Sequence, residues 1–187
     1  MDATFALENR VSCGKLKAPA PTADQRQRLY KAALRAADHG SLRPWRFLEI
    51  EGEGLDELGQ VFERAALSDD ADLGKSQRDK YRRMPTRAPL ILAAIAECVE
   101  HPKVPAWEQV VTTGAAVQNL ITAAFVEGIG AYWRTGAMVE HSEVKSALGL
   151  KEAERLVGFI YLGTPMIPLK SVPQDDPADF FKPWPSK

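Results

Sequence analysis

Cysteine is scarce: the 187 residues hold two, Cys13 and Cys98, far apart and in no C-x-x-C pair. That excludes a disulfide-stapled scaffold and leaves no sequence signature of a zinc centre or a redox dithiol. Both thiols are expected to be reduced, in a reducing compartment. Neither sign of charge dominates, with Lys plus Arg at 24, Asp plus Glu at 25 and a formal net charge of -1. Without a global basic field, nucleic acid is not an expected partner. The longest apolar run, PLILAAIAECV from Pro89, is cut by Glu97 well short of the ~20 residues that span a bilayer. The start, MDATFALENR, carries an acid at position 2 and lacks a basic-then-apolar layout, so the expectation is a cytoplasmic protein with no membrane segment. Also missing are GxSxG, GxxxxGK[ST], HExxH and a GxGxxG following a strand, which sets aside the usual hydrolase, P-loop and metalloprotease readings.

What is present reads as one folded domain. Hydrophobic residues at 45% and charged residues at 26% match ordinary globular chains, and the length suits a domain of ~150 residues with a tail. Asp2 can cap a short helix to about Glu8, and Thr22 a longer one, ADQRQRLYKAALRAA, with Leu29, Ala32, Ala33 and Ala36 inward. KLKAPAPT between them is an extended connector. PWRFLEI reads as a strand, helices follow near 55–67 and 74–83, and PLILAAIA has the length and composition of a strand covered on both faces. A helix from about Trp107 to Glu127 is too apolar for a surface element and belongs in the core. AYWRT is a third strand, Ser142 caps a small helix to about Leu148, and RLVGFIYLG is a fourth strand. The order implies α+β, a domain over 1–164, and an extended arm over 165–187 whose Phe180, Phe181 and Trp184 suit packing on a partner subunit.

Three clusters carry candidate chemistry. Arg10, Ser12 and Lys15 follow the first helix, and an arginine fork beside a hydroxyl suits a phosphate monoester, although an isolated R-x-S is far more often a solvated surface. Arg35 and His39 stand four apart, which puts them on one face of the second helix or its end. Trp45 and Phe47 share one side of a strand, as core edge or ligand contact. Trp133-Arg134-Thr135 sits at a strand end, where a charge between aromatics in an apolar region needs a partner.

These clusters, NRVSCGKL, RAADHGSLRPWRF, HPKVPAWEQ, GIGAYWRTGAM and VGFIYLGTP, occur in an order and spacing that resemble the compact FMN-dependent nitroreductases along nearly the whole chain. The resemblance implies a central, mostly antiparallel sheet flanked by helices, an intertwined homodimer, and two FMN molecules at the subunit interface. It further implies that Arg10, Val11 and Ser12 grip the flavin phosphate and ribityl chain, that Arg35 and His39 reach the same pocket from the other subunit, and that Trp133, Arg134 and Thr135 complete it. NADH or NADPH would be the donor, reaching the segment from Ala123 to Gly128, with a nitroaromatic, quinone or similar small molecule as acceptor. A flavin-binding protein with little turnover, or a flavoenzyme acting on another substrate, is the alternative. The chain departs from the pattern at Val11, where a second arginine is common, and at Leu42 and Arg43, where larger relatives have Asn and Gln before Pro-Trp.

Overall fold

The computed structural model describes residues 2–185. Its centre is strand β3 (Leu90–Glu97), flanked antiparallel by β2 (Trp45–Glu51) and by β5 (Glu154–Pro165). Strand β5 also pairs with β4 (Gly130–Arg134) and, through its last two residues, with the two-residue β1 (Leu16–Lys17), both antiparallel. Successive side chains of a strand point to opposite faces. Leu90, Leu92 and Ala94 therefore join Ile160 and Leu162 on one face, while Ile91, Ala93 and Ile95 join Phe159 and Tyr161 on the other. Seven of the eight β3 residues are buried, so the continuous apolar run is a strand covered on both sides.

One face is covered by α2 (Ala23–Ala33) and the 21-residue α5 (Ala106–Val126), through Leu29, Val117, Leu120 and Ala124. By length and composition α5 is apolar enough to cross a membrane. Here it is a core helix, and its buried polar groups are satisfied locally: Gln109 bonds the Val99 and Val104 carbonyls, and the Thr113 hydroxyl bonds the Pro44 carbonyl at 2.8 Å. The other face is covered by α3 (Glu53–Asp69), whose Phe62 meets Phe159 edge to face at 5.4 Å. Helix α4 (Lys75–Arg82) packs on α3, with the Glu63 carboxylate accepting from Arg78 and Arg82, both at 2.9 Å. The short helices α6 (Ala137–Glu140) and α7 (Ser142–Ala147) complete that side.

The mostly antiparallel α+β architecture agrees with the sequence reading, with local corrections. Helix α1 (Ala3–Asn9) is capped by Asp2, which accepts from the Phe5 amide, and α2 by a reciprocal Thr22–Gln25 box. Leu16 and Lys17 are not connector: they pair with Pro165 and Thr164, a long-range register that local pattern does not show. Helix α2 stops at Ala33 because Arg35 and Ala36 bond back only three residues, tightening the last turn. Ala36 packs on the core from outside the helix, and Arg35 and His39 do not share a helix face. The cap of α7 is His141, whose Nδ1 accepts from the Glu143 amide, rather than Ser142. After Pro165 the chain runs over the surface to a last helical turn, α8 (Pro177–Phe180), and Phe180, Phe181 and Trp184 are 73%, 80% and 94% exposed. Ser186 and Lys187, the end of the expected arm, lie outside the described residues.

Candidate functional site

The first half of the site lies along β4. Arg10 ends α1 in an extended conformation, and beyond it the Cys13 amide donates to the Ala131 carbonyl at 2.8 Å, which binds the 10–13 loop to the edge strand. This leaves Arg10 and Val11 half-buried and Ser12 exposed. The next residue after Cys13, Gly14, lies flat on the Tyr132 ring: a Cβ there would sit 3.0 Å from Tyr132 Cδ2, so the loop's approach depends on glycine. Tyr132 and Arg134, two apart on β4, face the same side, and the Arg134 guanidinium lies over the Tyr132 ring at 4.5 Å and the Tyr161 ring at 5.2 Å. The partner that a charge among aromatics requires is therefore a pair of π faces. Tyr161, directly opposite Tyr132 in the ladder, is buried, and that burial raises its phenol above the ordinary value, against the opposing influence of Arg134 and Arg87.

Trp133 faces the opposite way, onto α5, and its indole N–H donates to the Val157 carbonyl at 3.3 Å. It packs so closely on Gly158 that a Cβ at that position would overlap Trp133 Nε1. Thr135 follows, exposed, before the turn at Gly136 with φ +102°. Ser12, Lys15 and Tyr132 line a cleft of about 190 Å³ whose other wall is Ile167–Lys170, the first stretch of the arm.

The second half lies elsewhere. Arg35 lines a cleft of about 480 Å³ with Asp38, Ser41, Arg43 and Trp45, where the exit of α2 meets the start of β2. His39 sits beside it, its Nδ1 donating to the Glu108 carboxylate of α5 at 2.7 Å. Strands β2 and β4 are separated by β3 and β5, so the two halves sit at opposite sheet edges, three strand spacings or ~14 Å apart. Within one chain the Cys13–Ala131 bond and the cleft shared by Ser12 and Tyr132 set the loop after Arg10 beside β4, with Trp133 on the other side of the strand, while Arg35 and His39 lie at the β2 edge. The Ala123–Gly128 stretch is the end of α5 and its turn, where Glu127 pairs with Arg28 at 2.7 Å.

Charge marks both halves as places for an anion. Arg26, Arg28, Arg46, Arg64, Arg78 and Arg82 each hold a carboxylate. Among the described residues, Arg10, Lys15, Arg35, Arg43, Arg134 and Lys170 hold none, a property they share with Arg83, Arg87 and Arg155 outside both clefts. Lys15 and Lys170 beside the Ser12 hydroxyl, and Arg35 and Arg43 beside the Ser41 hydroxyl, are donors a phosphate monoester needs, and the Tyr132 face adds an aromatic wall, so the residues present fit a flavin mononucleotide. Two residues beside the candidate site, Tyr132 and Tyr161, escaped the sequence reading because they meet only through strand register. Arg43, noticed in the sequence only as a departure from the family pattern, takes a backbone conformation that its identity does not advertise.

Comparison with known proteins bears on the chain and fold as a whole. The model of the Nitroreductase family matches residues 7–164. YdjA of Escherichia coli (strain K12), whose name assigns it to the NAD(P)H nitroreductases, is 43% identical over 181 residues, spanning 96% of this chain and 98% of that protein. A nitroreductase-like protein from Bacillus cereus superposes with a TM-score of 0.83 at 18% identity, covering 100% of this chain and 97% of that one. A point variant of the FMN and NADPH-dependent nitroreductase NfnB from Sphigopyxis sp. strain HMH gives 0.75 at 15% identity, covering 99% and 100%. Sequence over nearly its full length and fold concur: the chain belongs to the nitroreductase family.

Proposed function

We propose that the protein is an FMN-dependent oxidoreductase that uses NAD(P)H to reduce nitroaromatic, quinone or similar electron-poor acceptors by a ping-pong cycle, as a cytoplasmic homodimer. The observation that carries this is the set of unpaired cations at opposite edges of one sheet. Arg10, Val11, Ser12, Trp133, Arg134 and Thr135 of one subunit would meet Arg35 and His39 of the other, since within a chain the two groups belong to opposite edges of the sheet. The exposed stripe of α5, Trp107, Val111 and Val126, offers apolar surface for that second copy, and the 165–187 arm is proposed to embrace it.

FMN supplies the hydride chemistry, so the chain needs no nucleophile of its own. Its residues bind and orient. Arg10 and Ser12 anchor phosphate, Tyr132 walls the ring, and the Arg134 guanidinium, held on two aromatic faces, contributes positive charge of the sign that favours a reduced, anionic flavin. The names of the relatives support the same reading. One open ring face serving donor and acceptor in turn predicts parallel double-reciprocal lines when both substrates are varied. Lines that intersect, the mark of a ternary complex, would remove the shared-face mechanism.

A further inference from the structure

Ser41 and Arg43 are the only residues other than glycine with positive φ among those described, at +54° and +51°, and both line the 480 Å³ cleft that holds Arg35. Side chains rarely adopt that backbone region, and outliers of this kind collect where a site must present a group in a fixed direction. The conformation is locked on both sides: the Arg43 amide donates to Asp38 Oδ2 at 2.7 Å, and the Arg43 carbonyl accepts from the Trp45 amide at 2.8 Å. Asp38 is the carboxylate facing the cleft, and it takes the Arg43 backbone rather than either guanidinium. Two arginines and a hydroxyl thus face one cleft with no carboxylate pairing either side chain.

We infer that Arg43 and Arg35 form a two-guanidinium clamp for a phosphate monoester, with Arg43 a binding residue of the site. A planar fork matches phosphate oxygens pairwise, and two forks with the Ser41 hydroxyl suit a dianion better than a carboxylate or a neutral ring. In the flavin and nicotinamide reading on which this rests, two ligands bring such a group: the 5′-phosphate of FMN and the 2′-phosphate of NADPH.

The test variant is Arg43→Gly, because glycine accepts φ +51° freely and the turn should survive loss of the side chain. Fluorescence titration compares FMN with riboflavin, which lacks the phosphate, and calorimetry on flavin-loaded protein compares 2′,5′-ADP with 5′-AMP. A tenfold or greater loss of FMN affinity in Arg43→Gly, with riboflavin unchanged and thermal stability undiminished, places the clamp on the flavin phosphate. The same selective loss for 2′,5′-ADP places it on the 2′-phosphate, and Arg43→Lys should recover part of either. If both ratios in Arg43→Gly stay within about twofold of the native protein, the clamp is overturned. Flavin bound without any preference for its phosphate, together with equal binding of the two adenylates by the native protein, also overturns it while leaving the flavin reading intact. Failure to bind any flavin, with 2′,5′-ADP preference lost in Arg43→Gly, supports the clamp and sinks the flavin reading.

Discussion

Arg10 separates the proposed cofactor role from a merely solvated one. It is half-buried at the end of α1, has no carboxylate among the described residues, and is followed by Val11, which brings no charge of its own. Loss of charge-assisted bonds worth about 1.5–3 kcal/mol should weaken FMN roughly ten- to hundredfold in Arg10→Ala. An unchanged dissociation constant in a fluorescence titration would refute the assignment. At this scale the candidate motifs are legible in the sequence, because Arg10, Ser12 and Trp133-Arg134-Thr135 stand in short contiguous runs. The Tyr132–Arg134–Tyr161 stack is not, since it needs the register that sets Tyr132 opposite Tyr161. Nor is Arg43, because positive φ is ordinarily announced by Gly or Asn.

At the scale of elements, buried carboxylates tie the layers together. Glu154, at the start of β5, accepts from Arg46 Nη2 of β2 at 2.7 Å and from the Lys151 amide at 2.9 Å; these bonds, Arg46's first, hold its carboxyl below the ordinary value of 4.5. Glu63 is lowered likewise by its bonds to Arg78 and Arg82 across α3 and α4. A group depressed in the folded state contributes stability above its unfolded value and loses it as pH falls through the folded one. Melting temperature should therefore hold at neutral pH and fall as the solution is taken below 4.5, with a shallower fall in Glu154→Gln. An acid limb identical in that variant and the native protein would exclude Glu154 as a contributor. Elements with strong local signals, such as the apolar β3 and the long α5, are readable from sequence. Two others are not: α2 ends early through i to i−3 bonds that its helix-forming RAA segment does not reveal, and β1 exists only because Thr164 and Pro165 lie beside it.

At the scale of the molecule, the proposal joins the two halves of the site through a second chain and assigns the arm to hold it. Its Phe180, Phe181 and Trp184 are exposed to a degree unusual for aromatics in a finished surface. Removal of 166–187 should weaken self-association, and sedimentation velocity showing an equally tight dimer would rule out the embrace. The central claim, an NAD(P)H-dependent flavin oxidoreductase, is tested most directly by an anaerobic absorbance titration of FMN-loaded protein with NADH and then NADPH, followed by a nitroaromatic and a quinone. The account predicts rapid bleaching of the yellow flavin band by at least one nucleotide and its return on addition of acceptor. A yellow spectrum that neither nucleotide bleaches would contradict it and point to a flavin-binding protein with little turnover.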